Sequence, residues 1–457
     1  MFKKVLIANR GEIAVQIIRS LHEMNIKAVA VYSTTDKDSM FVKLADEAIC
    51  IGGPQPNESY LNMPAIIDAA ILTKSDAIHP GYGFLSENAE FAELCEKCSI
   101  KFIGPSSKVI DLMGNKAHAK DAMKNSGVPT IPGSDGSIDT LDEALKLADE
   151  IGYPVMLKAA AGGGGKGIRE CDDPEQLKEI FTTTKREAKI SYNDDSLYME
   201  KDLSNAKHIE MQVIADQFGN VVYFPERDCS LQREHQKIIE ETPCMEVSQD
   251  QRDYLGSLVA KATKEIGYEN TGTFEFLLDE KTNKFYFMEM NTRLQVEHTV
   301  TEEVSGVQLI KDQILVAAGE QLPFTQKDIN VDSYAIECRI NAEKPENGFM
   351  PSPGKLKRVN FPFGTKGVRI DSGVESGDTI SPFYDSMIAK IIVHMPNKKE
   401  AVVKMRRVIN EFSIDGVSTN RQFLNDLLLD KHFNDSDFNN LYIEKSFLKE
   451  WLKNVKK

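Results

Sequence analysis

No stretch of the sequence approaches the roughly twenty apolar residues that a membrane-spanning helix requires. The opening "MFKKVLIANRGE" holds an apolar run of only a few residues, too short for a secretory signal, so a cytoplasmic location is expected. Cysteine is sparse, odd in number and scattered: seven residues from Cys50 to Cys338 give no disulfide framework. Cys95 and Cys98 have CxxC spacing, but no second Cys or His pair lies near enough in sequence to complete a zinc site. They sit in the helical pattern "ENAEFAELCEKC" and are expected to be reduced, partly buried thiols. Positive charge is in deficit, with 55 Lys and Arg against 70 Asp and Glu, a net charge of −15. That balance excludes non-specific binding to nucleic acid or to an acidic membrane, both of which need a basic surface. An anionic substrate must then be held by local clusters of basic side chains. Two phosphate motifs are also missing. The first turn, "ANRGE", carries one glycine where a dinucleotide fingerprint needs three, and Gly167 stands where a P-loop needs Ser or Thr after Lys166.

What remains is an ordinary globular composition, 41% hydrophobic over 457 residues, enough for two to four domains. Over the first hundred residues "KKVLIAN", "KAVAVYS", "DAIHPG" and "KFIGPS" read as strands, alternating with amphipathic segments such as "EIAVQIIRSLHEM". That rhythm predicts a doubly wound α/β domain with a parallel sheet. A helix from about Asn115 leads into the hinge-like "GVPTIPGSDGS". A compact α+β unit of some seventy residues follows, ending near "SLYMEKDL". From His208 the chain is strand-rich, with a helix near 250–266 and the hairpin "TGTFEFLLDEKTNKFYFMEMNTR". The tail from about 331 opens as a strand, "SYAIECRIN", and closes in amphipathic helices.

Three constellations carry chemistry. The first is "KAAAGGGGKG", in which Lys158 ends a strand and precedes four consecutive glycines. Unhindered successive N–H groups form an anion nest, and each glycine costs about 0.5–1 kcal/mol against alanine, so a phosphate-binding lid is expected. In the second, with Thr282 at the turn of the hairpin, Glu275 falls opposite Glu289 on one face. Two carboxylates ~5 Å apart on a sheet repel each other, and a hard divalent cation relieves the conflict. With Asn291 two residues on, the donors are all oxygen and suit Mg²⁺ or Mn²⁺. The third, "EMNTRLQVEH", keeps period two, so an extended chain would align Glu289, Asn291, Arg293, Gln295 and Glu297. Arg293 offers a planar fork for a small oxyanion such as bicarbonate, and Glu297 a proton acceptor. "ERDCSLQREHQKIIEE" adds Gln232, His235 and Lys237, the last two sharing a face if extended.

The strings "IANRGEIA", "HPGYGFLSEN", "GGGGKG", "ERDCSLQREHQK", "TGTFEF", "EMNTRLQVEH", "RINAE" and "PSPGK" together resemble the biotin carboxylase component of acetyl-CoA carboxylase, an ATP-grasp ligase family, over essentially the whole chain. The resemblance implies three parts: an N-terminal domain at 1–114, an ATP-grasp domain at 115–330 with its mobile lid at about 131–203, and a C-terminal domain at 331–457. It implies a reaction in which ATP phosphorylates bicarbonate to carboxyphosphate, whose CO₂ carboxylates N1′ of biotin, so that the cofactors are ATP and Mg²⁺ (or Mn²⁺) and biotin is a carrier-bound substrate. By that resemblance Lys116, Lys158, Gly164 and Gly165 hold the phosphates. Glu200, Lys201 and Leu203 line the adenine end, with His208, Gln232 and His235 also at the nucleotide. Glu275, Glu289 and Asn291 take the metal. Lys237, Arg293, Gln295 and Val296 bind bicarbonate, Glu297 is the general base, Arg339 stabilises the biotin enolate, and Tyr82 lies near the biotin pocket.

The glycine lid then serves to exclude water from a carboxyphosphate that would hydrolyse. "AMKN" at 122–125 imitates a biotinyl hairpin, yet it lies in a helical stretch and Lys124 is expected to be an ordinary surface lysine. No biotinyl or carboxyltransferase segment is present, so a separate biotin carboxyl carrier protein and carboxyltransferase subunits are the expected partners, within a homodimer that feeds malonyl-CoA and fatty acid synthesis. The same half-reaction serving pyruvate, another acyl-CoA or urea is the alternative. Three residues depart from the family pattern: Asp202 in place of an aromatic or apolar residue, Thr299 in place of proline, and Ala161 in place of glycine. They are expected respectively to weaken nucleotide affinity, to loosen the turn holding Glu297, and to stiffen the lid slightly.

Overall fold

A computed structural model describes residues 1–159, 168–192, 195–203 and 205–455. These fall into two compact units, one of Met1–Val128, Lys207–Phe276 and Glu289–Lys457, the other of Pro129–Ala206 and Leu277–Met288. Among the described residues no helix is long and apolar enough to cross a membrane. All seven cysteines are free.

The first unit begins with the expected parallel sheet. Its strands are β1 (Lys4–Ile7), β2 (Lys27–Ser33), β3 (Glu47–Gly52), β4 (Ala77–His79) and β5 (Lys101–Phe102), in the order β3-β2-β1-β4-β5. Helix α1 (Gly11–Glu23) buries Ile13, Ala14, Ile17, Ile18 and Leu21, the apolar stripe that its 3.6-residue period dictates. The lone glycine of "ANRGE" has a conformational reason. Gly11 has φ +67°, where side chains are disfavoured, and a Cβ on Gly373 would stand 2.6 Å from the Gly11 carbonyl carbon. Cys95 is buried within the helix Ala89–Lys97, and Lys124 is exposed on the helix Lys116–Asn125, both as the pattern predicts.

In the second unit an antiparallel three-stranded sheet runs β7-β6-β8, with β6 Val155–Ala159, β7 Ile168–Cys171 and β8 Leu197–Lys201. Its covering helix Leu141–Ile151 starts at a capping box. Thr140 accepts from the Glu143 N–H, and the Glu143 carboxylate accepts from the Thr140 N–H. Ala144 and Ala148 pack from this helix onto Val155, Leu157, Leu197 and Met199.

The large sheet supplies the frame for the candidate site. Its strands are β9 (Lys207–Ala215), β10 (Val221–Tyr223), β11 (Arg227–Arg233), β12 (Gln236–Thr242), β13 (Asn270–Asp279), β14 (Lys284–Asn291), β15 (Tyr334–Asn341), β16 (Val368–Ser372) and β17 (Met387–Met395). They run β14-β13-β9-β11-β12-β15-β17-β16, with β10 beside β9. The sheet therefore takes strands from both sides of residue 330. Strand β9 is buried along its whole length, although it carries Lys207, His208, Glu210 and Gln212.

Two local expectations need correction. The chain does not stay extended from Glu289 to Glu297: β14 ends at Asn291, and Glu297 precedes helix α2 (His298–Ser305). The cause is Glu87, whose Oε1 accepts from the Thr292 N–H at 3.0 Å while its Oε2 takes Arg293 Nε at 2.7 Å, in place of further strand pairing. Nor do His235 and Lys237 share an extended face. Glu234 and His235 have φ +48° and +63° and form the two-residue turn between β11 and β12, which leaves His235 exposed and Lys237 in the strand.

Candidate active site

At the heart of the first unit is a buried set of alternating charges. Lys237 Nζ pairs closely with Glu210, lies 3.2 Å from Glu275 Oε1 and donates to Glu297 Oε1 at 2.7 Å. Burial alone would drive these carboxyls up. Lys237 outweighs it, holding Glu210 and Glu275 well below the usual carboxylate range and Glu297 at about 2. The same burial works against the ammonium, yet the three carboxylates keep Lys237 firmly charged.

Arg339 extends the set. Its Nε donates to Glu240 Oε1 at 2.6 Å and its Nη2 to Glu297 Oε2 at 3.0 Å, so Glu297 is shared between Lys237 and Arg339. Across β12 and β15, Glu240 lies directly opposite Glu337, and both are fully buried. Burial raises Glu240 to about 7 against the pull of Arg339, and Glu337 to about 8 against the pull of Lys390. Thr299, at the second position of α2, gives its hydroxyl to Glu337. The residue expected to loosen this turn ties α2 to β15 instead.

Arg293 and Gln295 reach the cluster from the irregular segment. Arg293 Nη2 donates to Asn291 Oδ1 at 2.9 Å, and Gln295 Nε2 to Glu275 Oε1 at 2.7 Å. Fully buried Arg227 braces it from behind, bonding Glu210 at 3.0 Å, Thr301 at 2.9 Å and the side-chain oxygen of Gln295. Gln232 is buried on β11 opposite Lys237 in the strand register. Tyr82 gives its hydroxyl to Glu12.

The candidate metal donors are partly engaged within the protein. Glu275 Oε1 is already occupied by Asn291 Nδ2 and Gln295 Nε2, each at 2.7 Å. Its Oε2 lies 2.9 Å from His208 Nε2, which is aligned for no hydrogen bond although buried. Burial and then Glu275 push the Glu289 carboxyl up, the conflict between neighbouring acids that a cation removes. Lys116 Nζ, on an 89% exposed side chain, approaches Glu289 Oε2 at 4.0 Å. The oxygen donors of Glu275 and Glu289 fit a hard cation, whereas Asn291 Oδ1 would first have to release Arg293. His208, Glu210 and Glu275 also bring ligand atoms within 4.8 Å of one another. That space is already served by the Lys237 ammonium, so this trio needs no ion.

In the second unit Lys158 on β6 pairs closely with Glu200 on β8, and its Nζ lies 5.9 Å from the Tyr198 ring centroid. Lys201 ends β8, and Leu203 is buried with Ala206 and Tyr286. Asp202 is buried, its N–H donating to the Pro154 carbonyl at 3.0 Å. Gly164 and Gly165, with the rest of the glycine run and Ala161, lie outside the described residues.

Sequence reasoning missed Glu210, Glu240, Arg227 and Glu87. The first had a legible signal, since His208, Glu210 and Gln212 are polar at period two in the otherwise apolar "HIEMQVIAD". Glu87 had none, because its partners lie over 200 residues away.

Family models match almost the full length: "Biotin carboxylase, N-terminal domain" over residues 1–110, "Carbamoyl-phosphate synthase L chain, ATP binding domain" over 115–325, and "Biotin carboxylase C-terminal domain" over 337–445. Biotin carboxylase 1 of Bacillus subtilis is 50% identical over 97% of this chain and 98% of its own. The biotin carboxylase domain dimer of the Hydrogenobacter thermophilus 2-oxoglutarate carboxylase, solved with MgADP, ADP and bicarbonate, superposes with a TM-score of 0.87 at 50% identity, over 97% of this chain and 98% of that one. The biotin carboxylase subunit of a pyruvate carboxylase does so at 0.90 and 49% identity, with the same coverage.

Proposed function

The chain belongs to the biotin carboxylase family, and from that premise we propose that it uses MgATP and bicarbonate to carboxylate N1′ of biotin borne on a carrier protein. The observation that carries the reading is the sharing of Glu297. One of its oxygens meets Lys237 and the other Arg339, so one carboxylate adjoins both the residues assigned to bicarbonate and the residue assigned to biotin.

In this reading Lys237, Arg293, Gln295 and the Val296 backbone hold bicarbonate. Its approach competes with Glu210 and Glu297 for the Lys237 ammonium, which loosens the pair that keeps Glu297 a weak base. Glu297 then takes the bicarbonate proton, and the oxyanion attacks the terminal phosphorus of ATP. ADP leaves, and the resulting carboxyphosphate breaks the C–O bond to its phosphate group, giving CO₂ and phosphate. Arg339 stabilises the enolate oxygen of biotin as N1′ gives its proton to the released phosphate and attacks CO₂, with Tyr82 beside it. Magnesium or manganese, held by Glu275 and Glu289 with Asn291 as a further donor, would supply charge neutralisation at the phosphates. Lys116, Lys158, Gly164 and Gly165 hold those phosphates, while Glu200, Lys201, Leu203, His208, Gln232 and His235 hold the rest of the nucleotide.

The chain is organised as 1–114, 115–330 with its lid at about 131–203, and 331–457. It acts in the cytoplasm as a homodimer beside a biotin carboxyl carrier protein and carboxyltransferase subunits. Acetyl-CoA carboxylase, feeding malonyl-CoA and fatty acid synthesis, is the favoured assembly. A second reading, service to a 2-oxo acid carboxylase, is supported by the near-equal identity to relatives from 2-oxoglutarate and pyruvate carboxylases. ATP cleavage measured with and without bicarbonate and free biotin tests the activity. Cleavage indifferent to bicarbonate refutes it. Malonyl-CoA formation on reconstitution with acetyl-CoA carboxyltransferase separates the two assemblies.

A further inference from the structure

"IANRGEIA" contributes no residue to the reaction as assigned, yet its glutamate is buried beside the site. Gly11 opens α1 with its left-handed turn, which places Glu12 in the first turn, and the Glu12 side chain is only 4% exposed. It accepts the Tyr82 hydroxyl and lies 3.0 Å from Lys390 Nζ. Its other oxygen is buried with no partner among the described residues. Lys390 is fully buried on β17, directly opposite Arg339 on β15, so the two cations project from the same face of the sheet. Each has its own clients. Arg339 takes the carboxylates of Glu240 and Glu297, while Lys390 takes Glu12 and donates to the carbonyl of Val296 at 2.8 Å. Its Nζ also lies 5.8 Å from the Tyr82 ring centroid.

We propose that Lys390 is a positioning residue that fixes two groups at once, the Val296–Glu297 turn through the Val296 carbonyl and Tyr82 through Glu12. This rests on the reading above, in which Val296 serves bicarbonate and Tyr82 serves biotin. An ammonium suits the task because it has three rotatable donors and, once desolvated, must keep its partners. The Val296 peptide is then oriented by the same charge that holds the Tyr82 loop, which Asn9 secures further by donating to the carbonyls of Pro80 and Tyr82 at 2.7 Å each. The glutamate of "NRGE" links that lysine to Tyr82 and needs no contact with either substrate.

The test uses the whole chain and three constants: KM for bicarbonate, KM for free biotin and KM for ATP. Lys390→Met should raise the first two by about tenfold or more, the factor typical of losing one charged hydrogen bond, and leave the ATP constant within about twofold. Lys390→Arg, which keeps the charge and the donors, should recover part of both losses. Glu12→Ala should raise the biotin constant and leave that for bicarbonate near wild type. Wild-type constants in a folded Lys390→Met enzyme overturn the proposal, as does a uniform loss in all three that arginine cannot rescue. If Lys390→Met does not fold, Glu12→Ala decides, and an unchanged biotin constant refutes the link. A wild-type enzyme whose ATP cleavage ignores bicarbonate overturns the underlying reading instead, and this assignment with it.

Discussion

Replacing Arg339 by serine should lower stability by an amount that grows with pH, and should uncouple ATP cleavage from biotin. The guanidinium is the shared partner of Glu240 and Glu297, and both carboxylates are almost fully buried. Removing one member of a buried ion pair costs about 3–5 kcal/mol, because the remaining charge is stranded. Unfolding entropy of about 2.1 cal/mol/K per residue over 457 residues converts each kcal/mol to roughly 1 °C, a fall of about 3–5 °C. The pH dependence follows from Glu240. Burial already raises it to about 7, and Arg339 is the main group drawing it down. Without Arg339 its folded value climbs further. A carboxyl raised in the folded state contributes stability that is whole below its unfolded value near 4.3 and is lost as pH rises through the folded value. Above pH 7 the variant therefore retains a proton that the wild type has released, and the gap widens by about 1.4 kcal/mol per pH unit. Melting curves at pH 7 and 9 should show the larger deficit of the variant at the higher pH, by up to roughly 3 °C. Bicarbonate-dependent ATP cleavage should persist in the variant, and its stimulation by biotin should vanish. A gap that narrows with pH, or a variant still stimulated by biotin, would refute this account of Arg339.

Glu297→Gln should leave nucleotide binding intact and cut turnover by about 10²-fold or more, the usual contribution of a general base; wild-type turnover removes Glu297 from the mechanism. Thr299→Val takes a hydroxyl from the buried Glu337 carboxyl and should cost about 1–3 kcal/mol. Glu337 already sits at about 8, so its stabilising contribution is full below its unfolded value and lost through pH 8. The Thr299→Val deficit, read by melting, should therefore be larger at pH 9 than at pH 7, and equal melting at both refutes the contact. Gly373→Ala places a methyl 2.6 Å from the Gly11 carbonyl carbon and should destabilise by about 1–3 kcal/mol, where an ordinary loop glycine would tolerate alanine.

The parallel sheet, the hairpin carrying Glu275 and Glu289, and the small α+β unit were legible because each is governed by short-range periodicity. Strand spacing gives "KAVAVYS" as Lys27–Ser33, and the hairpin turn falls near Thr282. The convergence of Arg293, Gln295 and Glu297 was anticipated from a wrong geometry. Period two brings such residues to one side only while a strand lasts, and Glu87 ends β14 by taking the Thr292 N–H. Glu240 facing Glu337 was illegible for a related reason, since register between strands nearly a hundred residues apart leaves no trace in local pattern.

One hydrogen-bonded ladder passes from β12 directly to β15, although three α-helices, a hairpin and some ninety residues of chain intervene. A cut near residue 330 would expose two unpaired strand edges, each an invitation to aggregate or to recruit a foreign strand. Most of the middle third and the whole final third of this chain therefore stand in one compact unit, closed by that shared ladder. A piece of this chain ending near residue 330 would keep its own fold only where something else covers the edge of β12.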